Sequence, residues 1–245
     1  LLEDELRENS SQIINATLDR LTRSFPFTPE SDLITILKKL AESYHGTLEI
    51  IPEQLAGYYH QIKSILGKKG LEIPYKITGM FAATAVLWGM GNNRRSVVGP
   101  VPYFNYALSL YQSMLADLPV KDNLELWTDL QRKIAYTHTR LAFFQSKSEN
   151  CKNALKAYRE ALKYVTPDFP ADYGVLQYNL GITYGILAEI EDKTANYKLA
   201  AGAFREAAKV LAIEYFPVEY AMIHRNLGDI YHKLSEVEAK TENCK

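Results

Sequence analysis

Asn150-Cys151-Lys152 returns as Asn196-Tyr197-Lys198 and again as Asn243-Cys244-Lys245, at spacings of 46 and then 47 residues. The match spreads outward from these triplets. Ser148-Glu149, Thr194-Ala195 and Thr241-Glu242 precede them. Downstream, Ala154, Tyr158, Arg159, Glu160 and Ala161 recur as Ala200, Phe204, Arg205, Glu206 and Ala207, and Phe169-Pro170 with Tyr173 recurs as Phe216-Pro217 with Tyr220. A fixed period of this size is the mark of stacked supersecondary units, each unable to bury its apolar face alone.

Within each unit the apolar residues fall at steps of three and four, which places them on one side of a helix. One stripe runs Leu130, Ile134, His138, Leu141, Phe144; the second Leu176, Leu180, Tyr184, Leu187, Ile190; the third Ile223, Leu227, Tyr231, Leu234. The spacing predicts first helices over 124–146, 170–191 and 217–238, and second helices over 149–165 and 194–213. Of the last unit only the first helix and the opening of the second are expected. A unit ending there leaves an apolar face uncovered, so the chain is expected to be a piece of a longer protein.

Upstream, Ala107 and Tyr111 lie 47 residues before Ala154 and Tyr158 and predict the second helix of a divergent unit over 103–118. Its partner is the apolar helix expected from Pro74 to Gly91, joined by a loop over 92–102 that carries Arg94, Arg95, Gly99, Pro100 and Pro102. Further helices are expected over 1–25, 30–44 and 52–66, closed by the Phe25–Pro29 stretch, by His45-Gly46 and by Gly67–Gly70.

Leu180-Gly181 with Tyr184, followed by Ala200, Phe204 and Ala207, resembles the tetratricopeptide repeat, whose signature is Leu-Gly-x-x-Tyr and then Ala-x-x-x-Phe-x-x-Ala. Leu227-Gly228 with Tyr231 repeats its first half, and Ala154, Tyr158 and Ala161 its second. The small residues let helices approach closely and the aromatics fill the space between units. The family's early Trp is absent, with Gln131, Gln177 and His224 at the matching positions, and Ala135 replaces the Gly in one unit. The unit is also about a dozen residues longer than the usual 34 or so. The resemblance implies an all-α fold: a right-handed superhelical array of antiparallel helix pairs over 73–245, its last repeat incomplete, preceded by an N-terminal helical segment over 1–72.

In such arrays the first helices line the concave face. Residues off the apolar stripe form columns there: Arg132, Tyr178 and Arg225; Lys133, Asn179 and Asn226; Tyr136, Ile182 and Asp229; Arg140 and Lys233. Asn residues suit a peptide backbone and Arg or Lys suit carboxylates. The expected function is therefore a protein-interaction or scaffold module holding a peptide or partner helix in this groove, as part of a larger regulatory protein. The plainer alternative is an ordinary solvated helix face. Two other classes stay open: a regulatory domain sensing a small molecule or signalling peptide, and an RNA-binding helical repeat, which a continuous positive stripe would mark.

Composition narrows the field. Hydrophobic residues make up 47% and charged residues 23%, as in ordinary globular proteins. Net charge is −1 and the isoelectric point about 6.6, giving no global attraction to nucleic acid or an anionic membrane. The opening Leu1–Leu6 lacks a basic-then-apolar signal pattern, and the longest apolar stretch, Met80 to Met90, falls short of the roughly 20 residues a membrane span needs. A cytoplasmic location is expected. Asn15-Ala16-Thr17 fits a glycosylation acceptor, a tripeptide too common to decide anything.

Two cysteines, Cys151 and Cys244, occupy equivalent points two units apart, too far for a disulfide, so free thiols are expected. The five histidines, His45, His60, His138, His224 and His232, form neither HExxH nor a ligand cluster. No glycine-rich phosphate loop or GxSxG nucleophile elbow occurs. No enzyme activity, metal or cofactor is expected.

Overall fold

The computed structural model describes residues 32–44, 48–67, 75–91, 98–118 and 123–243. Among them every regular element is an α-helix: α1 Asp32–Tyr44, α2 Pro52–Gly67, α3 Tyr75–Gly91, α4 Pro100–Ala116, α5 Leu124–Leu141, α6 Lys147–Leu162, α7 Pro170–Ala188, α8 Lys193–Val210 and α9 Pro217–Asn243. No helix among the described residues is long and apolar enough to cross a membrane. The expected helix over 1–25, Asn15, Arg94, Arg95 and Cys244 lie outside the described residues. The chain divides into two compact units, one ending at Ala116 and the other starting at Asp117.

In the first unit α3 is covered by α1, α2 and α4. Its sequence is apolar on every side, and from Met80 to Gly89 every residue is buried. Such a helix is stable only if its few polar groups are satisfied. Thr84 donates to the Met80 carbonyl at 2.8 Å, Thr78 shares a hydrogen bond with the Tyr59 hydroxyl at 3.2 Å, and the Trp88 indole donates to Ser43 Oγ at 2.9 Å. Helix α4 starts at Pro100, earlier than the loop reading of 92–102 allowed. Its prolines sit in the first helical turn, where a missing N–H costs nothing.

The second unit carries the clean repeats. Helix α5 pairs with α6, and α7 pairs with α8; α6 also packs on α7, and α8 on α9. Helix α5 further touches α7, and α7 touches α9. The first helices thus form one layer, with α6 and α8 seated between consecutive members. Ala154 and Ala200 are both 0% exposed, as are Ala161 and Ala207, so residues 46 apart have the same surroundings. The ion pairs repeat as well. Lys152 of α6 meets Glu191 after α7 at 2.9 Å, and Lys198 of α8 meets Glu238 of α9 at 3.2 Å, at offsets of 46 and 47.

The repeated asparagines have a mechanical role in the turns between paired helices. Ser146 and Asp192, immediately before α6 and α8, adopt left-handed backbone with φ of 43° and 37°. Across each turn the buried asparagine amide donates back to the chain: Asn150 to the Gln145 carbonyl at 2.9 Å, Asn196 to the Glu191 carbonyl at 2.8 Å. These turns begin sooner than the periodicity suggested. Helices α5 and α7 end at Leu141 and Ala188, so Phe144 and Ile190, read as the last core positions of their stripes, are exposed turn residues.

The third unit departs from the expectation of a second helix opening near Thr241. Helix α9 runs unbroken to Asn243. The position equivalent to Asp192 is Ala239, a strong helix former that resists the left-handed conformation the turn requires.

Candidate functional site

The candidate face is built on α5, α7 and α9. Asn123 starts α5 by accepting a hydrogen bond from the Leu126 amide at 2.9 Å. Pro170 and Pro217 start α7 and α9 with the backbone angle a first helical residue needs.

On α5 the site centres on a carboxylate absent from the predicted set. Asp129 lies three and four residues before Arg132 and Lys133, the spacing at which helical side chains meet. Arg132 Nη2 and Lys133 Nζ each lie 2.6 Å from one of its oxygens. Burial by itself raises the Asp129 pKa, but the charges and hydrogen bonds of Lys133 and Arg132 outweigh it and hold the carboxyl below the usual range. Two cations share one anion, leaving this cluster with a net positive charge. Arg132 is itself buried, whereas Lys133, Tyr136 and Arg140 are half-buried; the Arg140 guanidinium also lies 5.3 Å from the centre of the Phe143 ring. The i, i+3, i+4 spacing around Asp129 was the signal that would have found it.

On α7 and α9 the structure brings two of the predicted residues together. Asn226 donates to the Tyr178 hydroxyl at 2.9 Å, linking α9 to α7. The Tyr178 pKa is raised by burial, against the opposing influence of Asn226 and of Arg225 nearby. Asn179 and Ile182 are half-buried, and the Asn179 carbonyl accepts from Thr183 at 2.8 Å. Arg225, Asp229 and Lys233 are exposed, Lys233 standing 3.9 Å from Glu189. Of the eleven predicted residues five are basic and one acidic, which sets the sign of the charge a partner would need.

A second polar link was missed because threonine is common and carries no pattern by itself. Thr139 of α5 and Thr183 of α7 share a buried hydrogen bond at 2.9 Å. Arg159 of α6 likewise donates to the Tyr184 hydroxyl of α7.

The remaining chemically capable groups have structural surroundings. His138 takes the place that Tyr184 and Tyr231 hold in the other stripes, and its Nδ1 pairs with Asn150 Oδ1 at 2.8 Å. Burial lowers its pKa, and the opposing influence of Asn150 and Glu149 does not overcome this. Cys151 is a buried free thiol whose pKa burial pushes up to about 11. Among the described residues no group of three His, Cys, Asp or Glu side chains could hold a metal ion.

Comparison with protein-family models, with curated proteins and with solved structures found no match.

Proposed function

We propose that the unit from Asp117 onward is a protein-interaction module of tetratricopeptide type, a superhelical array whose layer of first helices holds a carboxylate-bearing peptide. What carries the reading is the order of contacts. Helices α5, α7 and α9 touch in sequence while α6 and α8 fill in behind them, so the first helices offer one surface along which a peptide can lie. Along it stand the Asp129-bound pair Arg132 and Lys133, then Tyr178 with Asn226, then Arg225 and Lys233.

Asp129 serves in this reading as an internal stand-in for the ligand. It keeps the two cations ordered before binding, and a peptide carboxylate competes with it for their donors. The function is binding and scaffolding, without chemistry on the partner.

The test is a screen of peptides with acidic or neutral C-termini, read by fluorescence anisotropy at low and high salt. Acidic peptides should bind more tightly, and the paired Arg132→Met and Arg225→Gln substitutions should abolish the preference. Asp129→Asn should strengthen acidic-peptide binding about fivefold, near 1 kcal/mol, by releasing the competing anion. Binding indifferent to Arg132, Arg225 and Asn179 substitutions would remove the proposal.

A further inference from the structure

The third Leu-Gly-x-x-Tyr motif is built like the second, yet its helix lacks what covers the second. In α7, Leu180, Gly181, Tyr184 and Leu187 are buried beneath α8, and the Phe204 ring of α8 lies against Gly181 so closely that a Cβ placed there would be 2.8 Å from it. The same four positions on α9 are Leu227, Gly228, Tyr231 and Leu234. Gly228 and Tyr231 are exposed, Leu227 and Leu234 half-exposed, and nothing lies within 4 Å of a Cβ placed on Gly228. Tyr184 is 6% exposed and Tyr231 45%. Among the described residues, α9 therefore presents an apolar stripe with a glycine notch at its centre.

The molecule displays the shape that fits such a notch. In α8 it is an aromatic side chain between small residues: Ala200, Ala203 and Ala207 let the backbones approach, and Phe204 enters at the glycine. A second copy of the chain has no such helix to spare. Tyr158 of α6 and Phe204 of α8 are 0% and 1% exposed, both already packed inside their own unit. We propose that Leu227, Gly228, Tyr231 and Leu234 form a docking site for an amphipathic helix of another polypeptide, with the pattern Ala-x-x-x-Phe-x-x-Ala. This surface uses different residues of α9 from Arg225, Asn226, Asp229 and Lys233, so the two binding proposals stand or fall separately.

A synthetic, end-capped peptide of residues 193–211 supplies the required pattern and serves as the probe. It is fluorescently labelled and titrated with the whole chain. Saturable binding is expected in the range of tens of micromolar, about what a short helix that must fold on binding can reach. Phe204→Ala in the peptide should weaken binding at least about tenfold, the loss of one buried aromatic anchor. Gly228→Gln in the protein should do the same by filling the notch, and because Gly228 faces open space the variant should keep its helical circular dichroism and its melting temperature. Absence of saturable binding would overturn the proposal. So would binding that ignores both substitutions, which would mean the peptide displaces the chain's own α8. Concentration-dependent self-association suppressed by Gly228→Gln would also overturn it, since a second copy would then be the occupant.

Discussion

Gly181 and Gly228 hold the same place in two copies of one motif, and alanine at each should change stability in opposite directions. At Gly181 the added Cβ would stand 2.8, 2.9 and 3.0 Å from Cε1, Cδ1 and Cγ of Phe204. The last of these lies next to the side chain's own Cβ, so the ring cannot swing clear at its tip and must shift as a whole. It is 1% exposed and its centre lies 5.7 Å from that of the Tyr178 ring, which blocks the shift. Overpacking of this kind costs about 1–3 kcal/mol, and replacing glycine inside a helix returns up to about 1 kcal/mol. The net expectation for Gly181→Ala is a loss of about 1–2 kcal/mol. At Gly228 the first term vanishes, because nothing lies within 4 Å of the new methyl group. Gly228→Ala should therefore stabilise by about 0.5–1 kcal/mol. Urea unfolding followed by circular dichroism reads both, with equal slopes required so that midpoints compare directly. At about 3–6 °C per kcal/mol, melting temperatures should part by several degrees. Equal shifts, or a loss at Gly228 as large as at Gly181, would refute the claim that α9 lacks the helix that α7 has.

His138 should make the fold acid-sensitive. Its folded pKa lies below the free value of about 6.5, so the stability it contributes is fully present above that value and is lost as pH falls toward and through the lowered pKa. Urea midpoints at pH 8 and pH 5.5 should differ more for the wild type than for His138→Gln; parallel pH profiles would exclude the assignment. The turn asparagine offers a second check. Asn196→Ala removes the donor that satisfies the Glu191 carbonyl and should cost about 1–2 kcal/mol. Asn196→Asp, which keeps the size but not the donor, should lose at least as much, and a fully stable Asp variant would show that the amide donor has no such role.

The period was legible because a residue in a stacked repeat meets the same neighbours as its counterpart one unit away. Ala154 and Ala200, or Lys152 with Glu191 and Lys198 with Glu238, keep their type because their surroundings recur. The helices themselves were legible because steps of three and four can place Leu176, Leu180, Tyr184 and Leu187 together only on a helix. Their ends were less so. The stripe continues to Phe144 and Ile190, whereas the helices stop earlier at turns whose left-handed residues are Ser146 and Asp192 instead of glycine. On the candidate face, residue types were readable but pairings were not. That Asn226 meets Tyr178, 48 positions away, depends on how α9 leans on α7.

By itself the chain's order of residues determined that helices form, that they repeat every 46 or 47 positions, and which side of each is apolar. Whether an apolar side is covered was a tertiary decision. Leu227-Gly228 with Tyr231 is written like Leu180-Gly181 with Tyr184, yet one motif is half-open and the other closed. Periodicity belongs to a single helix, whereas burial belongs to the helix that packs against it.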